Sequence, residues 1–202
     1  MPAAVGNARG VRDTPSNGHF RAMTPQPERT PDGRFLLVGG RRWRASDPAI
    51  PDPLRAELVA ALMDARRAVR AAGGGEPATA AARERVRDAK VALGERGERG
   101  EPWWEPASEA GRSARLRAAM LTLLRARDPA RTICPSDAAR VAGGAAWRAA
   151  MQPARDVAAD LADAGVLEVR QRGRPVDIRG ARGPVRLARG PAWPGVASPP
   201  GR

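Results

Sequence analysis

Apolar residues in this chain recur mostly at three- and four-residue steps, the spacing that gathers them on one face of a helix. Leu54, Leu58, Leu62, Ala65 and Val69 predict an amphipathic helix over 53–72, with Pro53 suited to its first turn. Gly73-Gly74-Gly75 ends it. Ala82, Val86, Ala89 and Leu93 predict a second helix over 77–93, stopped by Gly94. So short a connection predicts an antiparallel pair whose outer faces carry Arg and Glu. Leu116, Met120, Leu123 and Leu124 mark a third helix that ends before Asp128-Pro129. Ser136 is read as the N-cap of a short helix through Val141. Trp147, Met151, Ala154, Val157, Ala158 and Leu161 share one face of the last helix. Pro153 cannot sit deep inside it, so a short turn over 145–150 and a helix from Gln152 to Ala164 are expected.

Three runs break the helical period. "GRFLLVGGRRWRA" reads as a hairpin: Phe35 to Val38, a Gly39-Gly40 turn, and a return from Arg41 to Ala45 with Trp43 inward. Thr132 to Cys134 is short and strand-like. "VLEVRQR" and "PVRLAR" predict two strands around the loop "GRPVDIRGARG". Residues 1–31 and 190–202 show no hydrophobic period and are expected to be disordered tails. The expected organisation is a hairpin-plus-helical-hairpin module over 32–106, a linker at 107–111 and a second module over 112–189. The fold class is mainly α with small β-hairpins.

Charge sharpens this division. Lys+Arg number 35 and Asp+Glu 22, for a net +13. Residues 51–110 are close to neutral, and the excess lies mainly after residue 110. Between residues 168 and 189, seven arginines face only Glu168 and Asp177. Such a basic end predicts a polyanionic partner. A single cysteine, Cys134, excludes an intrachain disulfide and predicts a reducing, cytoplasmic setting. No apolar run approaches a membrane span, and "MPAAVGNARGVRDTPSNGHF" lacks the apolar stretch of a signal peptide.

Helix, short strand, helix, helix, strand, Arg-rich loop, strand is the order of a winged helix-turn-helix. The stretch "ICPSDAARVAGGAAWRAAMQPARDVAADLADAGVLEVRQRGRPVD", with "ARGPVRL" after it, resembles the bacterial domain-of-unknown-function family 3253. The residues that carry the likeness are Ile133 to Ser136, Ala139-Arg140, Trp147-Arg148, Met151, Arg155, Leu161, Gly165, Gln171 to Asp177 and Arg182 to Pro184. The resemblance implies a winged-helix-like fold and no activity. Residues 32–106 resemble small uncharacterised bacterial proteins labelled Tol biopolymer-transporter-like. The chain lends that label no support, having neither a membrane span nor propeller repeats.

The function expected from these features is non-catalytic nucleic-acid binding, with a regulatory role in view. At 100° per residue, Arg148, Gln152, Arg155 and Ala159 fall opposite the core face, where Arg suits guanine and Gln suits adenine. Asp156, Asp160 and Asp163 lie beside them and would repel phosphates. The wing arginines Arg170, Arg172, Arg174, Arg179 and Arg182 are the expected phosphate contacts to DNA or RNA. They could instead pair with the Asp row. The alternative function is a protein-interaction adaptor, with Trp103 and Trp104 docking a partner unless they fold back on their own helices. Catalysis is not expected: Cys134 has no histidine base near it in sequence, and His19 is the only histidine. No metal or cofactor motif is found.

Overall fold

The computed structural model describes residues 27–73, 75–97 and 99–194. They form a mixed α/β structure of five α-helices and two three-stranded antiparallel sheets. The first sheet holds β1 (Glu28–Arg29), β2 (Phe35–Val38) and β3 (Arg41–Arg44). The helical pair follows as α1 (Asp52–Ala71) and α2 (Glu76–Ala92), which pack on each other. Then come α3 (Glu109–Ala126), α4 (Pro135–Gly143), a 3-10 turn (Gly144–Ala146) and α5 (Met151–Asp163). The second sheet holds β4 (Leu167–Gln171), β5 (Arg174–Pro175) and β6 (Arg186–Arg189).

α3 organises the packing. Every residue from Ala118 to Leu124 is buried, and a helical stretch apolar on all sides must lie inside. It touches α1, α2, α4 and α5. One hydrophobic core therefore runs from Ile50 through Leu93 and Leu187 to Trp193. Arginines of and just past α3 tie down the N-terminal helices. Arg115 pairs with the buried Asp47 at 2.7 Å, Arg125 pairs with Asp88, and Arg127 forks onto both oxygens of Glu57 at 2.8 and 3.1 Å. That fork raises the Arg127 pKa.

Several expectations are corrected. The chain is already paired at Glu28–Arg29, which lies in the stretch predicted to be disordered. At the other end Trp193 is only 4% exposed. The Ala192 N–H donates to the Gly165 carbonyl at 2.9 Å, so packing continues past 190. A Cβ on Gly190 would meet the Gly165 oxygen at 2.2 Å, so this close approach needs glycine. Trp43 is not inward but 44% exposed. It pairs with Leu36 on one face of the sheet, whereas Phe35, on the opposite face by strand alternation, is the residue that meets Trp104. Helix α4 begins at Pro135 rather than after Ser136, because the Asp137 carboxylate accepts the Cys134 N–H at 3.0 Å. The rest of both predicted tails, with His19, lies outside the described residues.

Candidate nucleic-acid interface

The second sheet has the order β5-β4-β6, and Ile133 bridges to Leu187 at its far side. β4 and β5 are joined by the tight Arg172-Gly173 turn. Residues 176–185 must then cross from one side of β4 to the other. They do so as a strap held to the protein, not as a free loop. Ile178 and Val185 are buried. The Val176 N–H donates to Val169 O at 2.9 Å. Gln171 Nε2 donates to the Arg182 and Pro184 carbonyls at 2.7 and 3.2 Å.

This strap alters α5. Arg155, expected at the base edges, donates Nη2 to the Ile178 and Ala181 carbonyls at 2.6 and 2.7 Å. Ala159, expected on the outer face, is only 2% exposed. The α5 stripe left in solvent is Gln152, Asp156, Asp160 and Asp163. Gln152 Nε2 is held on Asp156 at 2.8 Å. Arg179 forks onto Asp163 at 3.1 and 2.7 Å, with Asp160 at 3.9 Å. The Arg179 hydrogen bond keeps the Asp163 carboxyl below its usual range, and Asp163 in turn raises the Arg179 pKa.

Most other arginines of the sheet are also occupied. Arg170 pairs with Glu168. Arg186 donates to the Thr132 hydroxyl at 2.9 Å and carbonyl at 3.0 Å. Arg189 Nη2 donates to Leu124 O and Arg127 O at 2.7 and 2.9 Å, satisfying carbonyls at the end of α3 that have no partner within the helix. Arg172, Arg174 and Arg182 differ. Their residues are exposed, and among the described residues their side chains meet no carboxylate or carbonyl. Arg172 also takes φ +51°, the left-handed region that a side chain rarely adopts.

Another basic feature escaped the sequence. Arg140 and Arg148 both lie over the Trp147 ring, at 4.5 and 4.7 Å from its centroid. Arg148 is exposed and remains available at the approach to α5. The Arg140 partnership arises only because the 3-10 turn brings Trp147 back onto α4, which no local spacing announces. The predicted docking pair is used internally. Trp103 Nε1 donates to Ala45 O at 3.0 Å, and its ring meets Trp104 edge-on at 5.4 Å. Trp104 in turn packs on Phe35. Both are half-buried and join the first sheet to the segment after α2.

Residues 113–190 match the model of a family described as proteins of unknown function (DUF3253). The match takes in α3 from Ser113 onward and runs through β6, so the C-terminal resemblance holds over a longer stretch than the residues that first carried it. No curated protein matches the chain. No described helix is long and apolar enough to cross a membrane. Among the described residues no group of three or more His, Cys, Asp or Glu could hold a metal ion.

Proposed function

We propose that this is a non-catalytic, cytoplasmic nucleic-acid-binding protein, regulatory in role. Its C-terminal part forms a winged-helix unit that grips the phosphate backbone through the β4–β5 turn. The winged-helix assignment is supported by the order α3, Ile133 bridge, α4, α5, β4, β6, with Ile133, β6 and β4 side by side. The contact is supported best by one observation. Arg172, Arg174 and Arg182 stay exposed and unpartnered among the described residues, in a sheet whose other arginines are tied down. Arg172 keeps its place at φ +51°, a conformation that costs a non-glycine residue roughly 1–2 kcal/mol. Backbone strain of this kind collects where function requires a particular side chain. Arg148, oriented by Trp147, adds a further cation. The acidic outer stripe of α5 argues for phosphate contact without base reading, and so for low sequence specificity.

The test is fluorescence anisotropy on labelled duplex DNA and single-stranded RNA of mixed sequence, across a salt series. Affinity should fall steeply with salt. Changing Arg172, Arg174 and Arg182 together to Ala should weaken binding and lower the slope of log K against log salt by roughly 2–3. Binding that ignores salt, or that the triple variant leaves intact, would overturn the proposal.

A further inference from the structure

A second surface lies at the other end of the chain and does not depend on the nucleic-acid proposal. The first sheet leans over α1 and leaves a half-open groove of about 800 Å³ between them. Its floor is apolar: Leu36 and Val38 of β2, Trp43 of β3, and Val59 and Met63 of α1. Large apolar side chains left in solvent concentrate here. Val38 is 49% exposed, Trp43 44% and Val59 37%. A folded chain has no internal reason to leave three such neighbours uncovered, and contiguous patches of this kind mark interaction sites.

The rim is cationic. Arg41, Arg66, Lys90 and Arg96 surround the floor. Glu95 is the one carboxylate among the described lining residues, and it is engaged by the Ser46 hydroxyl at 3.1 Å. Arg44 closes one end by donating to the Glu95 and Gly100 carbonyls. Arg66 lies 5.7 Å from the Trp43 centroid, which fixes that ring beside a positive charge.

We infer that this groove is a docking site for a peptide segment of a partner protein that alternates acidic with aliphatic or aromatic residues. The apolar floor would take the hydrophobic anchors, and the arginine rim would take the carboxylates. A basic or neutral peptide would leave the rim uncompensated. A nucleic-acid strand would satisfy the rim, but apart from the Trp43 ring its bases would face aliphatic side chains, and burying their polar edges unpaired is costly.

The full-length protein is titrated against a fluorescein-labelled peptide of Glu-Leu-Asp-Phe repeats, read by anisotropy. Saturable binding is expected below roughly 100 µM. A peptide with lysine in place of every acid, and a polyglutamate peptide, should both bind more weakly. Val59→Glu puts a charge into the floor at an exposed position and should weaken binding roughly tenfold or more. Val59→Ala should stay within about threefold of the unaltered protein. Arg41→Glu combined with Arg96→Glu should also weaken it. Circular dichroism melts of each variant separate lost binding from lost folding. Absence of saturable binding, equal affinity for the lysine peptide, or indifference to Val59→Glu overturns the inference. So does a thymidine oligonucleotide whose own binding is weakened by Val59→Glu, since that would give the groove to nucleic acid.

Discussion

In the first sheet, Arg41, Arg42 and Arg44 flank Trp43 on an edge strand, and all four residues are exposed. In the second sheet, which packs on α5 through β4 and reaches the end of α3 through Arg189, Arg170, Arg186 and Arg189 each reach a carboxylate or carbonyl. Arginine is dense in both; its use differs with what lies against the strand. The second sheet abuts the end of α3, where orphan carbonyls wait for donors. The first sheet is attached chiefly through Phe35 and the Trp103–Trp104 pair. Of the β3 guanidinia, Arg42 stacks 4.2 Å from the Phe35 centroid, Arg44 at the strand end reaches the Glu95 and Gly100 carbonyls, and Arg41 meets no carboxylate or carbonyl among the described residues. A run of arginines is therefore not in itself a binding surface. It becomes one only where the fold leaves it no internal partner.

The two hairpin turns differ in the same sense. Gly39 and Gly40 turn the first hairpin at φ +55° and +73° without strain, whereas the second puts Arg172 at φ +51° before Gly173.

The contrast is broken most directly at Arg189. Arg189→Ala should cost about 2–3 kcal/mol in urea unfolding, because two charge-assisted bonds to the end of α3 are lost. Arg42→Ala in the other sheet should stay within about 0.5 kcal/mol. If the two costs were equal, the distinction between the sheets would fail. Arg155→Ala should cost about 2 kcal/mol and speed amide exchange in the strap at Ile178 and Ala181. An unchanged exchange pattern there would show that the strap is held by its apolar residues alone.

Arg172→Gly should stabilise the fold by about 1 kcal/mol while weakening nucleic-acid binding. A stabilised variant with full binding would leave the strain without a function. The smallest effect is expected at Glu95. Burial raises its carboxyl above the usual range, so the folded state favours the protonated form. The stabilising contribution of that proton is complete below the unfolded pKa and is lost as pH rises through the folded one. Glu95→Gln should therefore gain up to about 1 kcal/mol at neutral pH. Thermal melts should show the gain fading as pH falls into the ordinary carboxyl range.

The helices were legible because α1, α2 and α5 each bury one periodic face. The sequence also showed α3 through Leu116, Met120, Leu123 and Leu124, but not that Ala118, Ala119, Leu121 and Thr122 are buried beside them. Small residues carry little hydrophobic signal, so a helix enclosed along Ala118–Leu124 looked like an ordinary amphipathic one. The candidate interface was less legible. Whether Arg155 faces bases or carbonyls depends on where residues 176–185 cross the sheet. The local clues were Val176 and Ile178, aliphatic residues in a loop otherwise rich in Arg and Gly. Trp43 failed for a related reason: alternation says which residues share a face, but not how closely that face meets α1, and the groove between them leaves the ring 44% exposed.

The enclosure of α3 bears on where the chain can be divided. Arg115, Arg125 and Arg127 lie within the stretch that matches the family, while their acids Asp47, Asp88 and Glu57 lie before it. Trp193, beside Arg125 and Arg189, lies just after it. Cutting the chain at the edges of the match would strand Arg115 and Arg125, leave Arg127 with only Asp137 and the Thr132 carbonyl, and bare the apolar flank that α1 and α2 cover. In this protein the matched stretch and the residues before it stand or fall on one shared core.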